Sequence, residues 1–305
     1  MKEKILGFLT LVQIYSVVTS VMPFLLGALF VATYYQTFNW GYSILLLVAE
    51  VFFHLAVNTH NQYVDYFHFK SDPKLFANSY NNTLVRHNIT PRFAIITAYT
   101  LAGISGIIGI YLTVKTGWFL LLIGVLSFIV GYFYSGGKHS ISYTPFGEFA
   151  SGITMGYFIT LITVYINIAN TPQFENIFWL KTLLISLISI FAISNVMLAN
   201  NIADLDEDLK INRKTIVAYI GIKNSMILWV ASYILGYLAI VASIILGYLP
   251  WYCLIFLVLT FPMVYKKTME FVNKPDKATT FVNSIMNAQI LLLAVMIGCV
   301  IDLFI

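Results

Sequence analysis

Nine long apolar runs limit what this chain can fold into. They lie near residues 10–34, 40–61, 91–114, 117–134, 147–168, 179–203, 224–247, 250–266 and 283–304. A helix needs about 20 mostly apolar residues to cross a hydrocarbon core of about 30 Å. These are continuous runs, not the short alternating segments of a transmembrane β-barrel. Charged residues make up 10% of the chain and the mean hydropathy is +0.84, where a soluble protein carries roughly 25% charged residues. So few charges could not cover a soluble domain of this size. A soluble enzyme, a nucleic-acid-binding protein and a disordered chain are therefore excluded. Cys253 and Cys299 both sit in apolar runs, so neither a disulfide framework nor a cysteine metal site is expected. The first run is too long for a signal peptide and reads as a first span.

The positive-inside rule orients the spans. With the N-terminus in the cytoplasm, Lys2, Lys4, Lys70, Lys74, Arg86, Arg92, Lys138, Lys210, Arg213, Lys214, Lys223, Lys266, Lys267, Lys274 and Lys277 all fall inside. Of the 17 Lys and Arg, only Lys115 and Lys181 fall outside. One missed span would scramble that bias. The long connections, between spans two and three and between spans six and seven, are both inside, so polar chemistry is expected at the cytoplasmic face. Asn81 and Asn88 fit a glycosylation sequon but lie inside, and are set aside.

Two polar stripes stand at helix exits on that face. The second span leaves through Asn58, Asn61 and Asp65, and the sixth through Asn201, Asp204 and Asp208. Positions i, i+3 and i+7 share a helix face, so each set predicts one stripe. The stripes lie four spans apart, as an internal duplication would place them. Carboxylate and amide oxygens are hard ligands suited to Mg²⁺, which one or two carboxylates hold together with substrate phosphates and water. Basic residues that could meet an anionic diphosphate are close in sequence: Lys210, Arg213 and Lys214 follow the second stripe, and Arg86 and Lys138 lie in other inside connections. Asp206 and Glu207 point off the stripe and read as a solvated helix end. Glu50 and His54 continue the first stripe into the membrane, either as functional groups or as a pair satisfying itself.

At these residues the chain resembles the UbiA superfamily of intramembrane prenyltransferases, closest to its menaquinone-pathway branch, the 1,4-dihydroxy-2-naphthoate polyprenyltransferases. The first motif of that branch is matched by Asn58, Asn61, Gln62, Asp65 and Asp72, with Gln62 where the family carries an acid. A Val85-Arg86 segment precedes the third span. Tyr134-Ser135-Gly136-Gly137 and then Gly147-Glu148 match the end of the fourth span and the start of the fifth. Asn200, Asn201, Asp204, Asp208, Lys214, Thr215 and Gly221 match the second motif. The likeness runs over roughly residues 10–300 in order.

The resemblance implies an all-α polytopic membrane protein of about nine transmembrane helices around a central cavity, its N-terminus cytoplasmic, residues 1–305 forming one prenyltransferase domain. It implies transfer of a polyprenyl group from polyprenyl diphosphate to 1,4-dihydroxy-2-naphthoate, with loss of CO₂ and diphosphate, at the cytoplasmic face of the plasma membrane. It further implies Mg²⁺ as cofactor. Asn61, Asp65, Asp204 and Asp208 would be catalytic metal ligands, with Asp72 and Asn201 as further metal contacts. Arg86, Lys138, Lys210 and Lys214 would grip diphosphate. His54, Asn58, Tyr134 and Glu148 would meet the aromatic acid acceptor. Tyr63, Tyr66, Tyr132 and Tyr134 read either as a lining for an allylic cation or as interface tyrosines. Two other readings stand beside this one: another aromatic acceptor such as 4-hydroxybenzoate, and a membrane transporter. The expected partners are the two substrates and the lipid bilayer, with no nucleic acid.

Overall fold

The computed structural model describes residues 2–70 and 83–305. Nine helical spans are present among the described residues: Ile14–Tyr35, Trp40–Phe67, Pro91–Thr116, Trp118–Ser135, Gly147–Ile168, Phe178–Ala203, Ile216–Ile245, Tyr252–Asn273 and Val282–Asp302. Each falls on one of the apolar runs. The seventh starts earlier than its run because a short turn of helix from Ile216 precedes a break at Gly221, whose φ of +75° favours glycine. The second belongs to one unbroken helix, Trp40–Lys70. Asn58 lies about 27 Å along it from Trp40 at 1.5 Å per residue, close to the thickness of the hydrocarbon core. Helix length thus carries the first polar stripe to the membrane edge.

The chain divides into two compact units. One comprises Met1–Val21 and Ile44–Ser140. Its N-terminal helix Lys2–Leu11 stops at Gln13, which adopts a left-handed φ of +51°. Leu11, Leu84 and Ala94 form a buried cluster there, covered by Tyr63, Tyr66 and Ile89. Those two tyrosines therefore pack against aliphatic side chains. The third span begins at Pro91 behind Thr90, whose Oγ1 accepts from Phe93 N at 3.2 Å. This Thr cap with Pro at the first helical position marks the helix start. The second and fourth spans meet through Phe53 and Phe128, stacked at 4.2 Å. Elsewhere on the third and fourth spans, Ile107, Val114 and Val125 are exposed, as side chains facing lipid should be.

The other unit comprises Met22–Ser43 and Ile141–Ile305. The sixth span is its most enclosed element. Lipid gives helices little hydrophobic reason to associate, so close packing and interhelical hydrogen bonds hold them together. Asn195 supplies the bonds. Its Nδ2 donates to Trp229 O at 2.9 Å, and its carbonyl accepts from Trp229 Nε1 at 3.0 Å and Ser284 Oγ at 3.1 Å. The sixth, seventh and ninth spans are joined at that point. Gly156 supplies the close packing, since a Cβ there would lie 2.6 Å from Ile190 N of the sixth span. At the start of the sixth span, Lys181 pairs with Glu175 at 2.6 Å, and Glu175 also accepts from Tyr35 OH at 2.6 Å. The same span ends in Asp204.

Two glycines test the packing. Gly156→Ala is expected to cost roughly 1–3 kcal/mol through overpacking. Gly103→Ala, whose Cβ meets nothing within 4 Å, is expected to be neutral or to gain up to about 1 kcal/mol of helix propensity. Melting temperatures of the two variants in detergent should move in opposite directions, or only the first should move.

Candidate active site

The first stripe divides according to what each side chain meets. The helix break at Gln13 frees backbone carbonyls that need donors. Asn58 provides one: its Nδ2 donates to Val12 O at 3.3 Å and to Ser16 Oγ at 2.8 Å. The Ser16 hydroxyl donates to Gln13 O at 2.8 Å. Ser16 Oγ also lies 2.8 Å from His54 Nε2, and Ser20 Oγ lies 2.5 Å from His54 Nδ1. With the Ser16 hydrogen committed, Nε2 is the imidazole donor and Nδ1 accepts from Ser20. Asn58 and His54, expected to meet the aromatic acceptor, are engaged with the N-terminal segment. Nor does His54 pair with Glu50, which is buried with neither carboxyl oxygen bonded among the described residues. Further along the helix stands an Asn–Asp pair. Asn61 Nδ2 lies 3.4 Å from Asp65 Oδ2, four residues apart on the helix, and both are half-buried. Gln62 is buried, its Oε1 without a partner among the described residues. Burial suits an uncharged amide better than the acid expected there from the family pattern. Asp72 lies outside the described residues.

The Ser135-Gly136-Gly137 segment shows why that sequence follows the fourth span. Ser135 Oγ lies 3.2 Å from His60 Nδ1. A Cβ on Gly136 would come within 2.7 Å of Tyr132 O and 2.9 Å of His60 Cε1, and Gly137 has a φ of +84°. Only glycines allow the chain to turn so close to the second span. Lys138 stands exposed immediately after the turn, Arg86 is exposed at the end of the short helix Thr83–Arg86, and Tyr134 is half-buried.

The second stripe is not one helical face. The sixth span ends at Ala203, Asp204 adopts φ −100° and ψ 4°, and a new helix, Leu205–Lys210, begins. That break rotates Asp208 away from the register that i, i+3, i+7 spacing predicted. Asn201 turns inward. Its Nδ2 donates to Glu148 Oε1 at 2.7 Å and its Oδ1 accepts from Arg213 Nη2 at 3.2 Å. Asn201, expected to contact metal, links Glu148 to Arg213, and Glu148, expected at the acceptor, is buried against Asn201. The amide beside Asp204 belongs to Asn200, whose Nδ2 donates to Asp204 Oδ2 at 3.0 Å. Asn200–Asp204 therefore repeats the arrangement of Asn61–Asp65: an amide four residues before a carboxylate, the same donor on the same oxygen.

Two cations serve this motif, and neither is Lys210 or Lys214, which are both exposed. Arg213 donates from Nη1 to Asp208 Oδ1 at 3.3 Å and from Nε to Ser142 O at 3.0 Å, and its guanidinium lies 5.9 Å from the Tyr143 ring centre. Asp208 Oδ2 is buried without a partner among the described residues. Burial pushes the Asp208 carboxyl up to about 6. Arg213 and Lys277 pull it down, while Asp204 and Glu207 push it further up. Lys277, from the connection between the eighth and ninth spans, donates to Asp204 Oδ2 at 2.5 Å and to Asn200 Oδ1. Asn200 and Asp204 thus present one amide and one carboxylate oxygen to the same ammonium, and both are hard donors of the kind Mg²⁺ takes. Among the described residues no three His, Cys, Asp or Glu side chains converge. Arg213 and Lys277 were visible in the sequence only as members of basic clusters. The Asn200 spacing, identical to that of Asn61, was the available signal.

An all-helical membrane protein with paired Asn–Asp oxygens and basic groups at helix ends is thereby defined. The profile of the UbiA prenyltransferase family matches residues 20–295. A 1,4-dihydroxy-2-naphthoate octaprenyltransferase of Bacillus subtilis (strain 168) is 31% identical over 250 residues, covering 82% of this chain and 77% of that protein. Among solved structures, an apo UbiA homolog from Aeropyrum pernix K1 aligns with a TM-score of 0.73 at 16% identity, over 94% of this chain and 98% of its own. A UbiA homolog from Archaeoglobus fulgidus bound to DMAPP and Mg²⁺ aligns with a TM-score of 0.62 at 12% identity, over 97% and 99%. At those identities the solved structures speak for the fold. This chain belongs to the UbiA prenyltransferase family.

Arg213 gives the test of the network. Arg213→Ala leaves the Asp208 carboxylate and the Asn201 carbonyl without their donor and is expected to destabilise the protein by roughly 2–3 kcal/mol. Arg213→Lys should recover only part, because an ammonium cannot reproduce the planar fork. Thermal unfolding of the three proteins in detergent reads the order directly.

Proposed function

We propose that this protein transfers a polyprenyl group from polyprenyl diphosphate to 1,4-dihydroxy-2-naphthoate, giving demethylmenaquinol for menaquinone biosynthesis. Residues 1–305 would work as one transmembrane prenyltransferase domain in the cell membrane, with the reaction at the cytoplasmic face. The observation that carries this reading is the repeated Asn–Asp pair at the exits of the second and sixth spans, its second copy already holding a cation. The naphthoate acceptor is supported by the name of the Bacillus relative. The diphosphate substrate and metal are supported by the DMAPP and Mg²⁺ bound to the Archaeoglobus homolog. Neither relative is described as a transporter.

The reaction breaks the allylic C–O bond, and the electron pair leaves with diphosphate. The allylic carbon bonds to the ring carbon that bears the carboxylate, and CO₂ departs, returning its bonding pair to the ring. Mg²⁺, when bound, would neutralise charge growing on the departing diphosphate. Asn61 and Asp65 would hold one such ion, and Asn200 and Asp204, with Asp208, the other. Arg86, Lys138, Lys210 and Lys214, all exposed, would donate hydrogen bonds to diphosphate oxygens. Arg213 keeps Asp208 and Asn201 in place rather than reaching substrate. Tyr132, exposed beside His60 at 5.3 Å between ring centres, and Tyr134 offer aromatic faces to an allylic cation.

Purified protein offered labelled polyprenyl diphosphate should form product with 1,4-dihydroxy-2-naphthoate and release CO₂. Product with 4-hydroxybenzoate alone would sink the naphthoate assignment. Asp65→Asn and Asp204→Asn are each expected to lower kcat by about 10²–10³-fold, the usual cost of losing one pre-placed group that stabilises developing charge. EDTA should abolish turnover and Mg²⁺ restore it.

A further inference from the structure

The connection between the eighth and ninth spans, residues 274–281, is built to present one side chain. Asp276 Oδ1 accepts from Thr279 N at 2.8 Å and from Thr279 Oγ1 at 2.6 Å. Thr280 Oγ1 accepts from Asp276 N at 2.9 Å and donates to Lys274 O at 2.5 Å. Thr280 N and Phe281 N both donate to Asp276 O, at 3.1 and 2.9 Å. These bonds tie the loop together on both sides of Lys277. Its side chain lies over the Phe281 ring, Nζ 4.9 Å from the ring centre, and ends on Asp204 Oδ2 and Asn200 Oδ1.

An ammonium has three donors and no acceptor. Two of them go to the two oxygens of the Asn200–Asp204 pair. Lys277 thus takes the place of a cation in a donor set that suits a divalent ion. The two cations of this motif are held very differently. Arg213 is 17% exposed and bonds Asp208, Asn201 and Ser142. Lys277 is 40% exposed against an Asp204 that is 20% exposed, and an ion pair of that exposure contributes little and is readily exchanged. Lysine's compact charge on a four-carbon stem also swings where a guanidinium fork would stay.

We propose that Lys277 is the resident counter-ion of Asn200 and Asp204, that a divalent cation enters this pair by displacing it, and that the freed ammonium then binds diphosphate oxygens. The proposal rests on reading Asn200 and Asp204 as metal ligands. Before metal arrives, Lys277 keeps the carboxylate from facing Asp206, Glu207 and Asp208 uncompensated. After exchange, the loop keeps the ammonium within a side chain's length of the same oxygens. The eighth-to-ninth connection thereby becomes part of the diphosphate site, which the motifs in the sequence did not assign to it.

The test uses the full chain in detergent with Mn²⁺ as probe and no prenyl substrate. Lys277→Met should bind Mn²⁺ roughly fivefold more tightly than the parent protein, read as free Mn²⁺ by electron paramagnetic resonance, because the competing pair is gone. Lys277→Arg should bind no more tightly than the parent. The gain should vanish when Lys277→Met is combined with Asp204→Asn. A second measurement follows acylation of Lys277 by a water-soluble amine reagent, quantified by peptide mass spectrometry against exposed Lys223. Mn²⁺ should raise the rate at Lys277, and inorganic diphosphate added with Mn²⁺ should lower it again. Equal Mn²⁺ affinity in the parent and Lys277→Met overturns the exchange while leaving the metal site standing. No Mn²⁺ bound by either protein overturns both. A Lys277 rate that Mn²⁺ raises but diphosphate leaves unchanged overturns the diphosphate role.

Discussion

A chain immersed in hydrocarbon must satisfy its polar groups from within, because no water is there to do it. Much of this structure follows from that constraint. Where the first span begins, the helix breaks at Gln13, and Asn58, Ser16, Ser20 and His54 close around the exposed carbonyls. Deep among the last spans, Asn195 ties three helices together through Trp229 and Ser284. Both asparagines are costly in an apolar helix unless partnered, and both are partnered. A polar residue in a span is therefore first a candidate for structural duty, and only those left over after that duty are free for chemistry.

At the helix exits the balance changes, since charge becomes affordable beside water. The sixth span ends in a break at Asp204, and carboxylates gather there that would repel one another without cations. Arg213 serves Asp208 from inside the protein and Lys277 serves Asp204 from its edge. Burial pushes the Asp208 carboxyl up to about 6, while Arg213 and Lys277 pull it down. The divalent ion and diphosphate of the proposed reaction would extend an arrangement that the protein begins with its own side chains.

The spans were legible because hydropathy over about 20 residues is a strong signal that tertiary contacts hardly alter. The side-chain pairing at the helix exits was legible in part. Spacing and the resemblance singled out Asn61, Asp65 and Asp204, and the structure puts Asn61 beside Asp65 and an amide beside Asp204. The i, i+3, i+7 stripe assumed that the helix continues through Asp204, where it breaks. Periodicity also says which face Asn58 and His54 are on, not that Ser16 and Ser20 will bond them. The i, i+4 relation of Asn200 to Asp204 was present in the same letters and matched Asn61–Asp65, but two adjacent asparagines left the choice between them open.

Sequence by itself determined that this chain is a membrane protein of nine apolar spans with acids and bases collected at helix ends, since those are consequences of composition and of distance along one chain. Only the tertiary structure decided which asparagine stands beside which aspartate, that Glu148 turns inward, and that Arg213 and Lys277 rather than their neighbours serve the second motif. Those outcomes depend on a helix break one residue long and on loops distant in sequence, and hydrogen bonds of about 3 Å discriminate between adjacent residues that a pattern of letters treats alike.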